Sequence, residues 1–261
     1  MDKHTDPVDP HSPRRGRAVF LLPNLLTTGA LFAGFYAVIQ AMNGQIEYAA
    51  VAIFVAMVLD GLDGRVARMT NTQSAFGAEY DSLSDMVSFG VAPAVTMYAY
   101  ALNTMGKLGW IAAFVYCAAA ALRLARFNTQ VGKADKRWFQ GLPSPAAAAL
   151  IASLVWAGTD NGIVGADIRW GVWLITVFAG LSMVSSFRYY SGKDINLRRS
   201  VPFFAIVAIA LAFALIAIDP PIVMLLVFLA YAVSGYVCVL WPKTRSCPAD
   251  AVSPDADRDA P

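Results

Sequence analysis

Residues 49–102 read AAVAIFVAMVLDGLDGRVARMTNTQSAFGAEYDSLSDMVSFGVAPAVTMYAYAL, and this stretch decides the fold. One apolar run enters it and another leaves it, yet Asp60, Asp63, Asp81 and Asp85 gather between them. Carboxylates at the ends of such apolar segments are costly, so they must be paired, hydrated or holding cations. The same texture continues outward. The 261 residues are 57% hydrophobic and only 15% charged, outside the range of an ordinary soluble domain. Apolar runs of about 17–25 residues, the length that crosses a bilayer as a helix, recur along the chain. They predict an all-α polytopic membrane protein of about eight transmembrane helices, at 24–42, 46–64, 82–102, 108–126, 144–158, 170–187, 201–218 and 222–241.

Charge gives an independent handle on orientation. Eighteen of the 20 Lys and Arg residues fall in the leader, in 65–81, in 123–143, in 188–200 and in the tail; the intervening loops hold only Lys107 and Arg169. Under the positive-inside rule this alternation puts both termini, and with them all four aspartates, on the cytoplasmic side. The Pro-rich leader 1–17 has no signal-peptide cleavage pattern, and the Pro- and Asp-rich tail 243–261 has the composition of a disordered segment. A net charge of +2 gives no reason to expect a nucleic-acid partner. Cys117, Cys238 and Cys247 lack metal-ligand spacing and read as small hydrophobes in a reducing compartment. Both histidines, His4 and His11, lie in the leader. Acid–base chemistry in the membrane region must therefore use carboxylates, Lys, Arg or Tyr.

Asp60 and Asp63 are three residues apart, Asp81 and Asp85 four. On helices each pair projects from one face. The segment between them is long enough to turn back, so both pairs can converge on one space, with Gly61, Gly64 and Gly77 leaving room for a ligand. Four carboxylates so close cannot all stay ionised uncompensated. Two divalent cations would balance them, and all-oxygen ligation favours Mg²⁺ or Mn²⁺. Such a pair, about 3.5–4 Å apart, can clamp a phosphoryl group during in-line displacement, and Arg65 and Arg68 add donors for phosphate oxygens. The plainer alternative is a set of solvated helix-end acids in ordinary ion pairs with those arginines.

The spacing D-x2-D-G-x2-A-R-x8-G-x3-D-x3-D is carried without a gap by Asp60, Asp63, Gly64, Ala67, Arg68, Gly77, Asp81 and Asp85. It resembles the signature of the CDP-alcohol phosphatidyltransferases, integral membrane enzymes of phospholipid synthesis. The resemblance implies that Asp60, Asp63 and Asp81 ligate the metals, with Asp85 beside them as ligand and general base. It implies that Gly64, Ala67, Arg68, Ser74 and Gly77 bind the CDP-lipid, and the PNLLT element adds Asn24 through Thr27. It also implies a catalytic domain over 18–200, with two additional transmembrane helices in 201–242, and a homodimer.

Arg123 and Arg126 lie three residues apart in the run RLARFN at 123–128. Arg123 and Arg126 could grip a carboxylate or phosphate bidentately, or simply snorkel at the interface. With GLPSPAAA at 141–148, and more loosely 181–195, the run resembles the phosphatidylserine synthase branch of that family. The expected substrates are then CDP-diacylglycerol and L-serine. Arg123, Arg126, Asn128 and Ser144 are candidates for the serine, and Glu79 is one for its ammonium. Two other readings stand beside this one. The same chemistry could serve another alcohol such as glycerol 3-phosphate, and an acid cluster could belong to a divalent-cation channel or transporter. The second would need acids deeper in the spans, where almost none occur.

Overall fold

The computed structural model describes residues 15–70, 72, 74–129, 138–190 and 217–240. It is all-helical apart from one short two-stranded ribbon. Helix α1 (Arg15–Met42) turns into α2 (Ile46–Thr70) through a tight cap. Gly44 adopts φ 75°, its N–H bonds Ala41 O at 3.2 Å, and Gln45 N–H bonds Gln40 O at 2.8 Å. That pattern needs a left-handed residue, which glycine supplies without a side-chain clash. The two helices then pack along their length. Ala49, Ala52, Ile53 and Ala56 of α2 face inward, while Tyr48, Val51, Val55, Val58 and Leu62 form the opposite, exposed stripe. An apolar stripe on the outside, at helical spacing, is what lipid covers in a membrane helix.

The chain is next helical without a break over 75–100 as α3 (Ala75–Asp85), a π-helical turn (Met86–Val91) and α4 (Ala92–Tyr100). This helix contains most of the segment 82–102 expected as the third span, and it begins seven residues before that segment because Ser74 caps it. The Ser74 hydroxyl accepts a hydrogen bond from Gly77 N–H at 3.0 Å. A 3-10 turn (Leu102–Met105) leads to α5 (Lys107–Thr129). Helix α6 (Ser144–Asp160) is the innermost, with eleven of its seventeen residues buried, five of them Ala. Small side chains let neighbouring helices approach closely where no hydrophobic effect drives association. Helix α7 (Arg169–Val184) and α8 (Pro220–Leu240) complete the described helices. Strand β1 (Trp138–Gln140) pairs antiparallel with β2 (Arg188–Tyr190).

Among the described residues, three segments are by themselves long and apolar enough to cross a membrane: Leu22–Met42, Lys107–Thr129 and Pro220–Val237. The expected span 201–218 lies almost wholly outside the described residues, as do the tail and most of the leader.

Candidate functional site

The site forms where α1, α2 and α3 meet, two to three helical turns in from the α2–α3 connection. Thr27 of α1 is buried, and its hydroxyl lies 2.6 Å from Asp63 Oδ2 and 3.1 Å from Pro23 O. Its own carbonyl accepts from Ser84 Oγ at 3.2 Å, and one turn further Ala30 O accepts from Ser88 Oγ at 3.1 Å. At that crossing Gly34 meets Ser88 so closely that a β-carbon would lie 2.7 Å from Ser88 Cα. These contacts fix α3 and the π turn against α1, and so fix the depth of Asp81 and Asp85 relative to Asp60 and Asp63.

One carboxylate oxygen each from Asp60, Asp63 and Asp81 lies within 4.8 Å of the others. Asp63 is 3% exposed, and Asp81 Oδ1 is enclosed with no hydrogen-bond partner among the described residues. Burial first, then the charges of Asp60 and Asp63, push the Asp81 carboxyl up to about 7. Three converging hard oxygens, one of them orphaned, fit a divalent cation of the Mg²⁺ or Mn²⁺ type. Asp85 adjoins that trio. Its carboxyl shares a hydrogen bond with Asp60 and is within electrostatic reach of Arg123 on α5.

The expected CDP-lipid positions make local contacts on α1, α2 and α3. Arg68 folds back over Gly64, whose missing β-carbon would sit 3.6 Å from Arg68 Nη1, and it acts electrostatically on Asp63. Gly77 nestles against Ser74 and Asn24; a β-carbon there would lie 3.1 Å from Ser74 Oγ and 3.5 Å from Asn24 Oδ1. Ala67 helps close α2, its carbonyl accepting from Thr72 N–H at 3.1 Å.

Of the four acceptor candidates, Arg123 and Ser144 meet: Arg123 Nη1 donates to Ser144 Oγ at 2.8 Å. Asn128 is nearer α3, bonded to Ser82 Oγ at 3.0 Å. Arg126 is turned elsewhere. Its guanidinium donates to Val184 O at 3.1 Å and Ser185 O at 3.4 Å, satisfying carbonyls left open at the end of α7. Glu79 is exposed on α3. A hollow of about 390 Å³ lies at the other end of the bundle, lined by Glu47, Tyr100 and Thr159 among others. It offers a single carboxylate and cannot replace the aspartate cluster as the site of cation-dependent chemistry.

Residues 20–184 match the family model described as CDP-alcohol phosphatidyltransferase. The chain belongs to that family. Among curated phosphatidyltransferases it is similar to the CDP-diacylglycerol–serine O-phosphatidyltransferase of Helicobacter pylori, at 34% identity over 75% of this chain and 82% of that protein. The protein of the same name from Methanocaldococcus jannaschii is 37% identical over 71% of this chain and 81% of its own length. That from Mycobacterium leprae is 42% identical over 55% and 50%.

Some members of the phosphatidyltransferase site were not visible in the sequence. The Ser84 and Ser88 bonds to α1 carbonyls are one group, and the Tyr80 hydroxyl, 2.9 Å from Thr28 Oγ1, is another. Serine and tyrosine occur throughout the chain, and only the helix crossing distinguishes these.

Proposed function

We propose that this protein transfers the phosphatidyl group of CDP-diacylglycerol to the hydroxyl of L-serine, giving phosphatidylserine and CMP. The observation that carries the reading is the convergence of Asp60, Asp63 and Asp81 beside Asp85, in a chain whose relatives bear the serine phosphatidyltransferase name. Asp60, Asp63 and Asp81, with Asp85 alongside, would hold two divalent cations, Mg²⁺ or Mn²⁺, which supply charge neutralisation at the donor's diphosphate. Arg68, Ser74, Gly64, Ala67, Gly77, Asn24 and Thr27 bind and orient the CDP moiety. The serine hydroxyl oxygen attacks the lipid-side phosphorus, and the bond from that phosphorus to the bridging oxygen breaks. CMP departs with that oxygen, and the hydroxyl proton passes to Asp85. Positioning and electrostatics supply most of the acceleration, as elsewhere in phosphoryl transfer.

Arg123, held by Ser144, receives the serine carboxylate, with Asn128 close by; Arg126 serves the end of α7. The catalytic unit covers 18–200. The protein crosses the membrane eight times with both termini in the cytoplasm, so the site opens to the cytoplasmic side of the cell membrane. Support for this orientation is the alternation of basic segments along the sequence, one of which, 65–81, lies between the aspartate pairs. A homodimer completes the proposal.

The test is CMP release by the purified protein in mixed micelles with CDP-diacylglycerol, a divalent cation and separate alcohols. Release with L-serine alone, reduced about 10²–10⁴-fold in Asp85→Asn, is the expected result. Release only with glycerol 3-phosphate would move the acceptor. No release with any alcohol, together with cation flux in liposomes, would replace the enzyme by a transporter.

A further inference from the structure

Pro93 lies inside the continuous helix 75–100, in the first turn of α4. In an α-helix the N–H of residue 93 would close on the carbonyl of residue 89. Proline has no N–H, and its ring crowds that same carbonyl. The chain answers by widening. Met86–Val91 form the π turn, and Ala92 N–H bonds Val87 O, five residues back. The Phe89 carbonyl takes a donor from another helix: Tyr116 of α5, fully buried like Phe89, donates its hydroxyl to Phe89 O at 3.1 Å.

This bond reaches the helix four residues beyond Asp85. Three residues before Asp85 a second bond joins the same two stretches, Asn128 Nδ2 donating to Ser82 Oγ at 3.0 Å. Arg123 lies between Tyr116 and Asn128 on α5, just as Asp85 lies between Ser82 and Phe89. The two bonds therefore bracket the level at which Arg123 acts on the Asp85 carboxyl. Tyr116 and Arg123, seven residues apart, also share one face of α5. A π turn delays a helix by about one residue, roughly 100° of rotation about its axis. Closure of this one to α geometry would turn Asp85 relative to α4 and away from its present aspect to Arg123.

We propose that Tyr116 is a positioning residue for the transfer: its hydroxyl, bonded to the carbonyl that Pro93 leaves open, keeps the π turn wide and so sets the direction in which Asp85 meets Arg123 and the acceptor. The proposal rests on the reading of Asp85 as the proton acceptor in that reaction. The action of Tyr116 runs through the backbone at Phe89.

A matched control is Tyr189, a second fully buried tyrosine whose hydroxyl donates to a backbone carbonyl, Ala232 O of α8, at 3.0 Å. Its ring lies across Gly235, where a β-carbon would collide with it, and beside it the Tyr236 hydroxyl sits 2.7 Å from Ser182 Oγ. This clasp secures α8 rather than the helix that carries Asp85.

The experiment measures kcat, both KM values and Tm for the full-length protein, Tyr116→Phe, Tyr189→Phe, Pro93→Ala and Pro93→Ala/Tyr116→Phe. The assay is CMP release from CDP-diacylglycerol and L-serine at saturating Mg²⁺ or Mn²⁺. Tyr116→Phe keeps the ring and removes the donor. It should lower Tm and reduce kcat about 10–100-fold, with both KM values unchanged. Tyr189→Phe should lower Tm without lowering kcat. In the Pro93→Ala background, Tyr116→Phe should cost less Tm, because residue 93 now supplies an N–H to Phe89 O. It should still reduce kcat there, because the turn is free to close. An unchanged kcat in Tyr116→Phe, an equal loss of kcat in Tyr189→Phe, or the same Tm loss in both backgrounds overturns the proposal and leaves the serine reading intact. If Tyr116→Phe does not fold, the double variant decides: a kcat below that of Pro93→Ala supports the proposal, and an equal kcat overturns it. A wild-type protein that turns over only a different alcohol overturns the serine reading, and kcat is then compared with that alcohol. Absence of turnover with every alcohol overturns both.

Discussion

Thr27 has a single hydroxyl proton and two acceptors, Asp63 Oδ2 at 2.6 Å and Pro23 O at 3.1 Å. The shorter bond goes to the carboxylate and fixes which Asp63 oxygen remains for a cation. Thr27→Val keeps the shape and removes that bond. Loss of a hydrogen bond that orients a ligand typically costs about 10–100-fold in metal affinity or activity. The variant should therefore need correspondingly more Mg²⁺ or Mn²⁺ for half-maximal CMP release; an unchanged requirement would show that Asp63 is oriented without it. Asp81, just before the expected third span, gives a second prediction. Its carboxyl titrates at about 7 rather than 3.8 because of burial and the neighbouring Asp60 and Asp63. A raised folded-state value means that its contribution to stability is fully present below 3.8 and is lost as pH rises through about 7. In EDTA the protein should therefore melt at lower temperature at pH 8 than at pH 5.5. Because a cation must displace this proton, the stabilisation by added Mg²⁺ should grow over the same interval. A Mg²⁺ effect independent of pH would contradict that picture.

At the scale of elements, the decisive junction is the crossing of α1 with the π turn that follows Asp85. A π turn inserted in a helix shifts the residues on either side around the axis, and such turns concentrate at functional sites. Here Ser84, on the last turn of α3, and Ser88, inside the π turn, both reach α1 carbonyls. Gly34 is the residue that permits this approach. Gly34→Ala would place a β-carbon 2.7 Å from Ser88 Cα, a backbone atom that cannot step aside alone. The expected cost is about 1–3 kcal/mol of stability, seen as a lower Tm in detergent, with part of the activity lost because Asp85 moves with Ser88. The acid pairs at 60/63 and 81/85 were readable from sequence because a spacing of three or four residues states directly which face they share. The same logic located most helix boundaries within a few residues. What one-dimensional periodicity does not encode is a bond between residues 50 or more positions apart made by a common side chain. Arg126 illustrates this. Its spacing from Arg123 suggested a shared ligand, yet its guanidinium goes to the carbonyls of Val184 and Ser185. Orphan carbonyls at a helix end are an equally good partner, and only the placement of α7 reveals them.

For the molecule as a whole, the aspartate site and the turns at Gly44 and Gly162 lie at opposite ends of the bundle, since α2 runs from the Gly44 turn toward Asp60 and Asp63. The proposed orientation therefore makes a two-sided prediction. A single cysteine at Gly162, in a variant without the native cysteines, should react with a membrane-impermeant maleimide in intact cells. One at Glu79 should react only after permeabilisation. The reverse pattern would invert the proposed topology and put the acid cluster outside. The core that separates these ends is built largely of alanine, with α6 at its centre. Sequence composition announced the membrane but not this arrangement, because an Ala-rich segment is equally a weak span and an ideal central helix.

The clasp of Tyr189 over Gly235, with Tyr236 on Ser182, also sets a timetable. Synthesis proceeds from the N-terminus, so all four aspartates are made and inserted long before α8 leaves the ribosome. Until that helix arrives, Tyr189 and Ser182 have no partner to close against. A nascent chain would thus hold all four aspartates well before the contacts of the last helix with Tyr189 and Ser182 can close.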